Sequence, residues 1–270
     1  MKIDLHSHTT CSDGVMTPHE LIRYAESENI NMLAITDHDT IAAYAELEPV
    51  KLDLVSGIEL STHWQSIGIH VVGLNLDLSS TAIHSAVDYQ QQARDTRARE
   101  IARRLEKKGI SGAYEGARKI AANRNIGRPH FARYLVDTGR CKTMEEAFRK
   151  YLGKNKTVNI VKYWASLLQV VTWIRQAGGI PVLAHPLTYG LTHSKFSRLL
   201  DDFITCGGQA MEVVSGQQTP DQTRKLAVLC REKKLLASCG SDFHQPDQGW
   251  AKLGQLDPLP ENCDPVWEHF

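Results

Sequence analysis

Short apolar runs with strand character recur along this chain, and most of them run out at a histidine or an acidic residue. Lys2 to Leu5 leads straight into His6-Ser7-His8, with Asp13 following. His38 closes I-T-D-H, Glu59 closes V-S-G-I-E, and His185 closes V-L-A-H-P. Asp242 and His244 follow L-L-A-S-C-G-S, while His70 stands early in its run, in G-I-H-V-V-G. Imidazole nitrogens and carboxylate oxygens without a thiolate suit hard-to-borderline divalent cations. Nine such residues are too many for one ion. They predict two or three metals sharing a bridging carboxylate, an arrangement suited to phosphate-ester hydrolysis. Any one of these histidines alone reads as a hydrogen-bonded polar residue; their joint placement at strand ends points to a metal centre.

The strand-like runs fall near 2–6, 32–36, 52–59, 69–74, 180–184, 210–214 and 235–239. Amphipathic helical stretches at 18–29, 40–48, 166–177, 195–205 and 219–233 separate many of them. This alternation predicts an α/β fold with a parallel sheet, closed as a distorted seven-stranded barrel with its site at the C-terminal strand ends. Only helical patterns occur between 81 and 162, at 83–108, 112–122, 130–138 and 143–151. We therefore expect residues 1–80 and 163–270 to form the barrel and 81–162 a helical insertion covering the active site. G-R-C-K and L-G-K-N-K supply turns, and D-P-L-P-E-N-C-D-P reads as a proline-stiffened surface extension.

A net charge of zero excludes a global field for long nucleic acid or membrane, but it hides a split. Residues 81–162 hold 19 of the 31 Lys+Arg and 8 of the 31 Asp+Glu. A basic module facing an acidic barrel suits a phosphate held between them. The chain shows no signal-peptide run and no span of about 20 apolar residues, so a soluble cytoplasmic protein is expected, without membrane or obligate protein partners. The six cysteines form no C-x-x-C pair and are expected to be reduced and structural, with Cys11 placed to line the site.

D-L-H-S-H-T-T-C-S-D-G, I-T-D-H-D-T, G-I-E-L-S, A-H-P and G-S-D-F-H, in this order, resemble the PHP (polymerase and histidinol phosphatase) superfamily. The resemblance implies a TIM-like (β/α) barrel of PHP type with up to three divalent ions. His6, His8, Glu59 and Asp242 would hold the first, Glu59, His70 and His185 the second, and Asp13, His38 and His244 the third. Mixed ligands of this kind suit manganese foremost, with iron or zinc as alternatives. W-x-x-x-x-I-H-V-V-G-L, G-R-P-H-F-A-R, Y-L-G-K and A-G-G-I-P-V-L-A-H-P resemble the nucleoside 3′,5′-bisphosphate phosphatase and ribonuclease AM branch, and V-N-I-V-K-Y-W departs from it. That branch implies removal of the 3′-phosphate from a nucleotide, with 5′-to-3′ cleavage of short 5′-phosphorylated RNA as a further activity.

Asp13 and His244 are candidates to pass a proton to the leaving sugar oxygen, and Asp13 and His38 to face the substrate. Arg94, Arg97, Ile101 and Leu105 share one helical stripe, which points Arg97 at a phosphate. Arg94 either does the same or snorkels to solvent. In G-R-P-H, Pro129 suits a first helical turn, putting Arg128 and His130 at a positive helix N-terminus ready for an anion. Trp64 and Tyr189 either stack a base or pack in the core. A phosphatase for a non-nucleotide metabolite such as histidinol phosphate would not need the second anion site. A non-catalytic PHP module would not need all nine ligand-type residues.

Overall fold

The computed structural model describes residues 1–122, 126–153, 161–216, 218–247, 249 and 252–270. Lys154 to Lys156 of the expected L-G-K-N-K turn and residues 158–160 of V-N-I-V-K-Y-W lie outside these. Seven strands, β1 (Ile3–Asp4), β2 (Met32–Ile35), β3 (Asp53–Trp64), β4 (Ile67–Leu74), β5 (Ile180–Leu183), β6 (Ala210–Ser215) and β7 (Leu236–Gly240), form one sheet in sequence order. The ends meet: Leu5 N–H donates to Cys239 O and Asp242 N–H to His6 O, each at 3.0 Å, which closes the sheet into a barrel. A Cβ on Gly240 would collide with His6, so this closure needs glycine there.

The sheet is mixed, not parallel. β4 runs antiparallel to both β3 and β5, while the other neighbours pair parallel. The cause is the tight Trp64–Ile67 hairpin, since parallel neighbours need a crossover far longer than two residues. β3 also outruns its expected end at Glu59, because beyond β2 it continues to Trp64 paired with β4, with single bridges to His38 and Ser166 on its other edge.

The helices are α1 (Pro18–Ser27), α2 (Ala42–Ala45), α3 (Thr81–Glu106), α4 (Ala113–Ile120), α5 (Arg128–Asp137), α6 (Met144–Ala147), α7 (Leu167–Gln176), α8 (His193–Thr205) and α9 (Pro220–Glu232). Their starts follow local chemistry. Thr17 with Glu20 and Thr219 with Gln222 form capping boxes, each followed by proline in the first turn. After α6 the chain widens into a π-helical turn over Phe148–Leu152.

One buried cluster, including Leu60, Val72, Ile174, Leu183, Phe203 and Val214, fills the space between the sheet and its helices. A second, including Ile101, Leu105, Phe131, Leu135 and Leu152, sits among α3 to α6 and the π turn. The C-terminal segment is not a free extension: Asp264 O accepts from Ala237 N–H at 2.7 Å, and Val266 is fully buried. Most of 257–265 lies at the surface as expected, tethered to β7 by the single Ala237–Pro265 bridge. None of the six cysteines forms a disulfide. Among the described residues no helix is long and apolar enough to cross a membrane.

Candidate metal centre and anion site

The reversal of β4 explains how His70 reaches the same rim as the other candidates. Its strand starts where its antiparallel neighbours β3 and β5 finish, so an early position lies at their C-terminal end. His70 pairs with Ser61 of β3, and its carbonyl accepts from Ala184 N–H beside His185. Tyr189 fixes this edge, its hydroxyl accepting from His70 N–H at 3.0 Å and donating to Ala184 O at 2.8 Å. Tyr189 and Trp64 are thus packed in the core, with Trp64 Nε1–H on Asp202 at 2.7 Å.

Five of the candidate histidines surround Glu59. Oε1 lies 2.7 Å from His70 Nδ1 and 2.9 Å from His185 Nε2; Oε2 lies 2.7 Å from His38 Nδ1, 3.3 Å from His8 Nε2 and 3.4 Å from His6 Nε2. Asp242 Oδ1 is 3.2 Å from His8 Nε2 and 3.4 Å from His6 Nε2. Asp13 lies 3.3 Å from His244 Nε2 and 3.9 Å from His38 Nε2. Three groups have ligand atoms close enough to share an ion: His6, His8, Glu59 and Asp242; His38, Glu59 and His70; and His8, Asp13, His38 and His244. Beyond the sets the family resemblance implies, His8 joins the third group and His38 joins Glu59 and His70, while His185 Nε2 stays 3.3 Å from His70 Nδ1 and 2.9 Å from Glu59 Oε1 as expected.

Electrostatics fit a missing positive charge. Burial favours a neutral Glu59, yet His38, His70 and His6 hold it well below the usual carboxylate range. Burial opposes charge on His244, but Asp13 and Asp242 push it up to about 10. Burial likewise opposes charge on His6, which Glu212, Glu59 and Asp242 raise well above the ordinary imidazole value. Without a metal, imidazolium protons neutralise these carboxylates. Glu59 Oε2 and Asp13 Oδ1 are buried and faced by imidazole nitrogens, His38 Nδ1 at 2.7 Å and His244 Nε2 at 3.3 Å, but in poor alignment for a hydrogen bond. Buried acceptors are rarely left so unless another partner is meant for them. The donor set suits divalent cations.

Facing this centre is a group of arginines. Arg94 is nearly buried and neither snorkels nor points freely at the mouth: its Nε donates to Asp39 Oδ2 at 2.6 Å. Asp39 also accepts from Ser61 N–H at 2.7 Å, so the pair ties α3 to β3. Arg97 has no carboxylate partner among the described residues and lies over the Trp164 ring, 5.1 Å from its centroid. Burial, Arg128 and Arg94 lower it to about 9, which an anion would reverse. Arg128 and His130 stand in the first turn of α5, and Asp13 acts electrostatically on both. His130 Nδ1 accepts from Gly127 N–H at 2.9 Å, which leaves Nε2–H as a donor. Cys11 is turned aside, its Sγ 3.8 Å from Glu46.

Three acids were missed in the sequence. Asp37 accepts from Thr9 N–H at 2.7 Å and Ser12 O–H at 2.5 Å, shaping the loop that carries Asp13. Asp39 anchors Arg94, and Glu212 touches His6 and His185. Glu212 had a signal: a lone acid in the apolar run A-M-E-V-V demands partners when buried. The aspartates flanking His38 offered none beyond their neighbour.

A closed α/β barrel with such a mouth defines a metal-dependent phosphoesterase. The PHP domain profile matches residues 4–155, and the chain belongs to the PHP domain family. A 5′-3′ exoribonuclease of Haemophilus influenzae is 42% identical over 273 residues, covering 100% of this chain and 99% of its own. A 3′,5′-nucleoside bisphosphate phosphatase of Chromobacterium violaceum is 39% identical, covering 99% of this chain and 96% of its own. A solved amidohydrolase structure from Chromobacterium violaceum, with bound sulfate and no metal, matches with a TM-score of 0.90 at 38% identity. It covers 100% of this chain and 95% of the other.

Proposed function

We propose that the enzyme removes the 3′-phosphate of nucleoside 3′,5′-bisphosphates, giving the 5′-monophosphate and inorganic phosphate, and that short RNAs with a 5′-phosphate are cut at the same position. One observation carries this: a centre built for metals lies within electrostatic reach of Arg128 and His130, with Arg97 beside Arg128, and neither arginine makes an ion pair with a carboxylate among the described residues. Two anion sites call for a substrate with two phosphates. The names of the relatives support it.

On this reading His6, His8, Asp13, His38, Glu59, His70, His185, Asp242 and His244 hold two or three divalent ions, manganese foremost. Such ions supply a hydroxide at neutral pH and neutralise charge on the reacting phosphoryl group. Glu59, with an oxygen toward each side, would hold an ion on each. Arg97 and Arg128 grip the 5′-phosphate, Arg128 as a fork suited to phosphate, and His130 donates from Nε2. Arg94 holds α3 in place through Asp39. Asp13 and His244 sit where a proton could pass to the leaving 3′-oxygen. The basic segment 81–162 covers the mouth of a barrel formed by 1–80 and 163–270.

Assaying metal-replete protein on adenosine 3′,5′-bisphosphate, 3′-AMP and 5′-AMP tests the proposal. Each charge-assisted contact contributes about 1.5–3 kcal/mol, so the bisphosphate should exceed either monophosphate roughly ten- to a hundredfold in kcat/KM. Comparable values would contradict it.

A further inference from the structure

Glu212 is a buried acid in β6 whose carboxylate spans both sides of the Glu59 cluster. Its Oε1 accepts from His6 Nδ1 at 2.5 Å, and its Oε2 accepts the backbone N–H of His185 at 2.5 Å. His6 stands on the Oε2 side of Glu59, with His8 and Asp242; His185 stands on the Oε1 side, with His70. One carboxylate therefore touches both halves of the centre without joining it.

The two contacts fix different things. With its proton held on Nδ1 by Glu212, His6 keeps the Nε2 lone pair turned toward the group it shares with His8 and Asp242. A carboxylate behind a ligating imidazole sets ring orientation and tautomer in this way. His185 has φ +26° and ψ +60°, a left-handed backbone that a residue with a side chain adopts rarely. The Glu212 bond to its N–H holds that turn, which aims Nε2 at Glu59.

We propose that Glu212 is a positioning residue coupling the two ion subsites: it sets the His6 tautomer for one and the His185 turn for the other. The role rests on reading the nine residues as metal ligands. Glu212→Gln isolates it, because glutamine offers one acceptor where both contacts need one. If its oxygen serves His185, its amide forces the proton of His6 onto Nε2; if it serves His6, two donors face each other at His185.

Zinc-loaded protein provides the test, since zinc is diamagnetic. Metal analysis and calorimetry should find that Glu212→Gln retains fewer ions per chain than the parent and binds them about 10–100-fold more weakly. Metal-free parent and variant should melt at similar temperatures, which separates positioning from folding. Nitrogen-15 correlation spectra of the zinc-loaded parent should show His6 protonated at Nδ1 only, and this measurement decides even if the variant does not fold. His6 protonated at Nε2 in the parent would overturn the role, as would parental zinc number and affinity in the variant. A parent that binds no zinc would instead overturn the metal reading beneath it.

Discussion

Glu59 shows how one side chain can organise a centre. Its two oxygens have different neighbours, and all five imidazoles around it lie within 3.4 Å. Glu59→Gln keeps the shape but removes the charge that two ions would share. Bound metal and activity should fall together, activity by at least about 100-fold, since even supporting partners cost up to that much. Normal turnover with full metal content would refute the bridging role. Asp39 makes a separate prediction. Its pair with Arg94 is almost wholly buried, and breaking such a pair leaves an uncompensated charge. Asp39→Ala should cost about 3–5 kcal/mol of stability, measured by denaturant unfolding. A loss under about 1 kcal/mol would show that Arg94 finds another partner.

At the scale of elements, the seven strands and the main helices stood out in the sequence because apolar runs and capping residues mark them locally. Strand direction did not. The β3–β4 hairpin has no Asn-Gly or Asp-Gly turn, and His63-Trp64-Gln65-Ser66 reads equally as a loop. The position of His70 therefore stayed anomalous until β4 was seen to run backwards. Ligand-type residues were legible because several mark strand ends; supporting acids were not, because Asp37 and Asp39 act through tertiary contacts with residues 9, 12, 61, 90 and 94. The Arg94–Leu105 stripe foretold which face of α3 turns inward, but not that Asp39 would claim Arg94. Only the fold brings that partner near.

Across the whole molecule, the fold brings Arg97 and Arg128 of the helical segment together and puts Arg128 within electrostatic reach of Asp13. In the metal-free state His6, His38 and His185 are raised above the ordinary imidazole value, and His244 reaches about 10. Raised imidazoles keep their protons through neutral pH, and an incoming cation must displace them. Metal affinity should therefore rise with pH from the ordinary imidazole range up to about 10, where His244 loses its proton, with protons released on binding. Calorimetry in buffers of different ionisation enthalpy counts them; binding without proton release would contradict this state of the site.

The central claim is that one mouth holds two phosphates by different means, and Arg128→Ala tests it most directly. Parent and variant, both metal-replete, would be compared on adenosine 3′,5′-bisphosphate and on a small activated phosphate ester lacking the second phosphate. The variant should lose roughly ten- to a hundredfold in kcat/KM on the bisphosphate, with kcat falling too if remote binding orients the reacting group. On the small ester it should match the parent, with unchanged metal content. Equal loss on both substrates, or no loss on either, would contradict a second phosphate site at Arg128.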